Sequence, residues 1–114
     1  MDDLALSEHL MRRILEIFPE FESEWRADHP GGEAQQKTVH SVYMSLFPFV
    51  HSASHSPKQL AKFAALLNEA VAAGGNADNA VGTCFLEHFG QSPLRKAIWP
   101  LLLPATKQRT RANR

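Results

Sequence analysis

Leu6, Leu10, Ile14 and Ile17 fall at steps of four, four and three, with Met11, Leu15 and Phe18 beside them, a broad apolar stripe at the helical period. The spacing predicts a first helix near residues 4–17. Phe18-Pro19 ends it, because the residue before a proline is pushed out of the α region. Pro19 then suits the start of a second short helix that holds Phe21 and Trp25 and stops by Asp28. His29-Pro30-Gly31-Gly32 reads as a loop. Beyond it Val39, Val42, Tyr43, Leu46 and Val50 share one helical face, and Pro48 should kink or split that third helix by removing a backbone donor.

Ser56-Pro57 is a helix-start signal, a capping hydroxyl followed by a residue preorganised for the first position. Leu60, Phe63, Leu67 and Val71 continue at helical spacing to Gly74-Gly75, which supply left-handed conformers at the end. A fifth helix starts at Asn76 or Asp78, puts Val81, Cys84, Phe85, His88 and Phe89 on one face, and meets its cap at Gly90. Ser92-Pro93 opens a last apolar stripe of Leu94, Ile98, Leu101 and Leu102, broken by Pro100 and closed by Pro104. No stretch alternates with period two, and no hairpin turn lies between two such runs. The expected fold is all-α: a compact bundle of five or six short helices, helices four to six being able to pair as in a short α-solenoid. Residues 1–104 make one helical domain, and residues 105–114 offer little to bury and are expected to form a basic flexible tail.

Composition narrows the class. With 114 residues, 44% apolar and 21% charged, the chain is an ordinary globular domain. No apolar run approaches the roughly 20 residues of a membrane span, and the acidic start Met1-Asp2-Asp3 does not resemble a secretory signal. The single cysteine, Cys84, cannot form an internal disulfide, so a cytoplasmic location is expected. Net charge is zero, but residues 1–33 carry nine acids against three bases, and residues 95–114 carry six bases and no acid. Opposed local potentials of this kind act on charged partners at short range.

The candidate chemistry is sparse. Cys84 and His88 are four apart on the expected fifth helix, the spacing at which an imidazole can activate a thiol. Val81, Phe85 and Phe89 around them favour a packed, inert cysteine instead. His40, His51 and His55 could line one side of a helix, but no Glu follows His51 in the manner of a zinc helix and no cysteine pair exists, so neither a metal nor a cofactor is expected. The glycine pairs lack the lysine and the strand-to-helix setting of a phosphate loop. No catalytic constellation emerges, and the chain does not read as an enzyme. The acids Glu20, Glu22, Glu24 and Asp28 around Trp25 form the more informative surface. They are either the solvated side of an amphipathic helix, or a negative patch with an aromatic anchor for a basic protein partner.

The segments Phe18-Pro19-Glu20-Phe21, Leu66-Leu67-Asn68-Glu69-Ala70, Asn79 to Phe89 and Leu94 to Leu103 resemble a family of small all-helical bacterial domains of unknown function. Some of its members resemble immunity proteins encoded beside polymorphic or contact-dependent growth-inhibition toxins. The resemblance rests on core residues, Phe85, Leu86, Glu87 and Phe89 above all, and carries no catalytic residue. It implies a protein that binds and neutralises a cognate toxin domain, such as a nuclease, by stoichiometric contact. The alternative is a small nucleic-acid accessory protein using Lys107, Arg109, Arg111 and Arg114 of the tail. Four dispersed charges without interleaved aromatics argue against it.

Overall fold

Helices form where the apolar stripes fall. In a computed structural model that describes residues 3–29, 38–52, 54–90 and 92–110, the first stripe becomes α1 (Asp3–Ile17), whose Leu10, Ile14 and Ile17 are buried while Leu6 is half-buried. Phe18 closes the helix, donating its amide to the Ile14 carbonyl at 2.7 Å, and its ring enters the core edge-on to Phe49 and Phe63. After the Phe18-Pro19 turn the chain re-enters helix as α2 (Phe21–Asp28), whose Phe21 and Trp25, one turn apart, both face inward.

The third stripe is α3 (Val39–Ser52), and it runs through Pro48 without splitting. The donor that proline lacks would have reached the Met44 carbonyl one turn earlier. Met44 and Pro48 both lie on the exposed side, where water can satisfy that carbonyl. The start of α4 (Pro57–Ala73) is fixed by a reciprocal cap. Ser56 Oγ accepts the Gln59 amide at 3.1 Å, and the Ser56 amide donates to Gln59 Oε1 at 3.0 Å. The same Gln59 side chain donates to the Ile17 carbonyl at 3.0 Å, so the cap of α4 also satisfies the end of α1. Gly74 and Gly75 have φ of 68° and 58°, the left-handed region that lets α5 (Gly75–Cys84) follow at once.

The fifth helix is shorter than the sequence suggests. It ends at Cys84; Phe85 leaves the α region at φ −134°, and Leu86–His88 form a 3-10 turn. Phe85, Leu86 and Phe89 are all buried around this break. The last elements are α6 (Pro93–Ile98), capped by Ser92 Oγ on the Arg95 amide, a 3-10 turn at Trp99–Leu101, and α7 (Pro104–Gln108).

α7 stands where a flexible tail was expected. Thr106 and Thr110 are buried, the Thr110 hydroxyl donates to the Lys107 carbonyl at 2.7 Å, and Arg109 lies 3.0 Å from Asp78 Oδ1. The guanidinium rests on Gly82, where a Cβ would overlap it unless the arginine side chain shifted, so α5 and the C-terminal segment meet closely at this glycine. Sequence patterning missed the segment because it docks through threonines and one ion pair. The tail expectation for residues 111–114 falls outside the described residues.

Two long helices organise the bundle. α3 packs on α1, α2 and α5, while α4 packs on α1, α5, α6 and α7. α1 therefore touches both central helices. That is bundle packing, whereas a solenoid would place each element only against its chain neighbours. The described residues contain no strand, and no helix among them is long and apolar enough to cross a membrane.

Candidate functional site

The acidic surface is built on α2. Phe21 and Trp25 fix the helix to α3, Phe21 lying edge-on to Phe49 with 5.4 Å between ring centroids. With that side buried, Glu20, Glu22 and Asp28 are exposed and Glu24 is half-buried. Arg26 is the one cation of the helix, and it sits 3.2 Å from Glu22. Both side chains are more than half exposed, so the pair adds little stability and leaves the face negative. Glu22 and Glu24 also occupy the first turn, where the helix dipole favours carboxylates.

Trp25 is placed differently from an exposed anchor: it is 3% exposed. The His29 ring stacks on it at 3.8 Å between centroids, and His29 Nδ1 lies 3.1 Å from the Trp25 carbonyl. A carbonyl only accepts, so that nitrogen carries the proton. Its indole Nε1 has no hydrogen-bond partner among the described residues. The tryptophan acts as a pedestal beneath the acids, and the surface offers charge without an aromatic centre.

Two further features lie elsewhere. A pocket of about 150 Å³ opens between α1, α3 and α4, floored by Leu10, Val39, Tyr43 and Leu66. That volume matches an apolar cavity able to take one benzene-sized group. Burial pushes the Tyr43 hydroxyl pKa far above its ordinary value, so it remains a neutral donor. At the rim Arg13 grips Glu69 through two bonds of 2.7 and 3.0 Å, a bidentate fork. The Arg13 hydrogen bond holds the Glu69 carboxyl below the usual carboxylate range. The pair's contribution is therefore complete above the unfolded value, about 4.3, and is lost as pH falls through the lower folded value. Because Glu69 is 55% exposed, Glu69→Gln is expected to cost less than about 1 kcal/mol at neutral pH. In urea titrations that wild-type minus variant difference should vanish in acid; a difference that grew in acid would contradict the assignment.

The other sequence candidates separate. Cys84 does not pair with His88, because α5 ends at Cys84 and His88 is exposed on the 3-10 turn. Its contact is His40 on α3, whose Nδ1 lies 3.2 Å from Sγ. A separation of 44 residues gave no spacing to read. His51 is occupied differently: its Nδ1 lies 2.8 Å from the Phe47 carbonyl. His55 packs edge-on to Phe18 with centroids 4.7 Å apart. The three imidazoles thus have different partners, and the described residues contain no group of three or more metal-ligating side chains.

A cation and aromatic cluster also escaped sequence reading. Arg95 Cζ lies 4.2 Å and Lys107 Nζ 5.2 Å from the centroid of the Trp99 ring. The four-residue step from Arg95 to Trp99 on a short helix was the available signal.

Comparison with known families matches residues 11–113 to a domain of unknown function, DUF7674. No curated protein and no solved structure matches the chain.

Proposed function

We propose that this chain, which belongs to the DUF7674 family of domains of unknown function, is a binding protein of the immunity type that acts in the cytoplasm. It would neutralise a cognate toxin domain by one-to-one contact, without catalysis of its own. The observation that carries the reading is the face of α2. Glu20, Glu22, Glu24 and Asp28 stand over buried Phe21 and Trp25, with Arg26 as the only cation on the helix.

A rigid negative face of this kind complements a basic one. An enzyme that works on nucleic acid must present lysines and arginines to phosphates, so a nuclease toxin is the class of partner whose working surface fits. Complementary fields speed encounter, and covering the cationic cleft excludes the substrate. With Trp25 turned inward, electrostatics carries more of the recognition than an aromatic hot spot would. The alternative, a nucleic-acid accessory protein using the C-terminal bases, has less support. Arg109 is engaged by Asp78, and Lys107 lies over Trp99.

The test is co-expression with the product of the adjacent reading frame, followed by size-exclusion chromatography. An equimolar complex whose affinity falls with added salt supports the reading. Two products that elute separately at low salt overturn it.

A further inference from the structure

The segment from Arg95 to Lys107 presents an apolar ridge where a solvated surface would be the default. Leu94, Ile98 and Leu102 anchor it in the core, yet Leu101 and Leu103 are 47% and 55% exposed. They are held there. Asn68 on α4 donates Nδ2 to the Leu101 carbonyl at 3.2 Å and accepts the Leu103 amide at 3.0 Å on Oδ1. One side chain therefore fixes both flanks of extended Leu102, leaving a leucine on either side outside. Because the ridge is already ordered, a partner covering it loses little further conformational entropy.

Cations border this ridge. Arg95, Lys96, Trp99 and Pro100 line a cleft of about 340 Å³ beside it, Lys107 lies over Trp99, and no Asp or Glu occurs in the sequence after Glu87. We propose that this surface docks an acidic, leucine-bearing helical segment of a partner protein. Carboxylates of the segment enter the cleft to meet Arg95 and Lys96, and its apolar side chains cover Leu101 and Leu103. Charge complementarity selects the sign of the partner, and the paired leucines select its kind. A single-stranded nucleic acid would have to displace Arg95 and Lys107 from the indole before a base could stack there, and it offers nothing to the leucines. A lipid surface would leave the cleft unfilled.

This docking site is separate from the acidic face. α2 packs on α1 and α3, whereas α6, the Trp99–Leu101 turn and α7 pack on α4. The acidic helix of a second copy is a poor occupant, because Phe21 and Trp25, its large apolar side chains, are buried within its own fold.

The probe is a labelled synthetic helical peptide with leucines along one face and glutamates elsewhere, titrated onto the full chain by fluorescence anisotropy. A second peptide carries lysine in place of each glutamate. Binding of the glutamate peptide alone is expected, weakened about tenfold or more by Leu101→Ser with Leu103→Ser, and likewise by Lys96→Glu with Lys107→Glu. Lys96, Leu101 and Leu103 are exposed and Lys107 is half-buried, and the melting temperature of each variant checks that the fold is intact. Reversal of the α2 acids should leave peptide binding unchanged, which separates this site from the toxin-binding reading. No binding of the glutamate peptide, or binding that neither pair of substitutions weakens, would overturn the proposal. So would binding only to phosphatidylglycerol-containing vesicles or to oligothymidylate.

Discussion

Phe85→Ala is expected to remove about 3–5 kcal/mol of stability, a large part of the roughly 5–15 kcal/mol that holds a domain of this size. Phe85 is fully buried at the point where the chain leaves α5, and its ring meets Phe63 at 5.3 Å, Phe47 at 5.4 Å, Phe89 at 5.5 Å and Tyr43 at 6.4 Å between centroids. Those rings come from α3, from α4 and from the segment after the 3-10 turn, so truncation opens a void bordered by three elements at once. Edge-to-face pairs add about 0.5–1.5 kcal/mol beyond burial. Phe85→Leu keeps much of the volume and should cost far less. Urea unfolding followed by circular dichroism measures both; a cost under about 1 kcal/mol for the alanine variant would show that the ring cluster does not hold the core.

How much of this could be read beforehand follows from where each element gets its stability. α1 and α4 draw theirs from apolar stripes at helical spacing, and Ser56-Pro57 marks its own helix start, so period and capping found them. α5 drew a wrong end because Val81, Cys84, Phe85 and Phe89 fit one helical face on paper, while the chain leaves the α region at Phe85 and turns as 3-10 over Leu86–His88, a break that no glycine or proline marks. α7 left no periodic trace, since Thr106, Thr110 and an Arg109–Asp78 contact dock it. The candidate surface divides in the same way. The run of acids was visible as composition, but the direction of Trp25 was not, because an aromatic one turn after Phe21 fits an anchor and a core residue equally well. The His40–Cys84 contact and the Asn68 clamp join residues 44, 33 and 35 positions apart. No local pattern reports such pairs.

Charge reversal on α2 should have the largest effect on binding. Glu20→Lys, Glu22→Lys, Glu24→Lys and Asp28→Lys together replace attraction to a basic partner by repulsion, and affinity for the toxin domain is expected to fall roughly 100-fold or more, association slowing most. The field reaches only about 10 Å at 0.1 M salt, so added salt should weaken the wild-type complex and, by screening the repulsion, raise the residual affinity of the variant. The fold should tolerate the change: Glu22 and Glu24 in the first turn lose a few tenths of a kcal/mol each from dipole and ion-pair contacts, whereas Asp28 ends the helix, where a cation is favoured. Trp25→Phe supplies the contrast. It sits under the acids without reaching the surface, so it should lower the melting temperature while preserving affinity. If Trp25→Phe weakened binding and the reversed acids did not, recognition would run through the aromatic and the charged face would be incidental.

The most direct measurement is survival of a sensitive host that expresses the adjacent reading frame together with either the wild-type chain or the α2 charge-reversed variant at equal levels. Rescue by the wild type and death with the variant is the predicted result. Equal rescue by both, or a neighbour that harms no host even without this protein, would contradict a neutralising protein that works through α2.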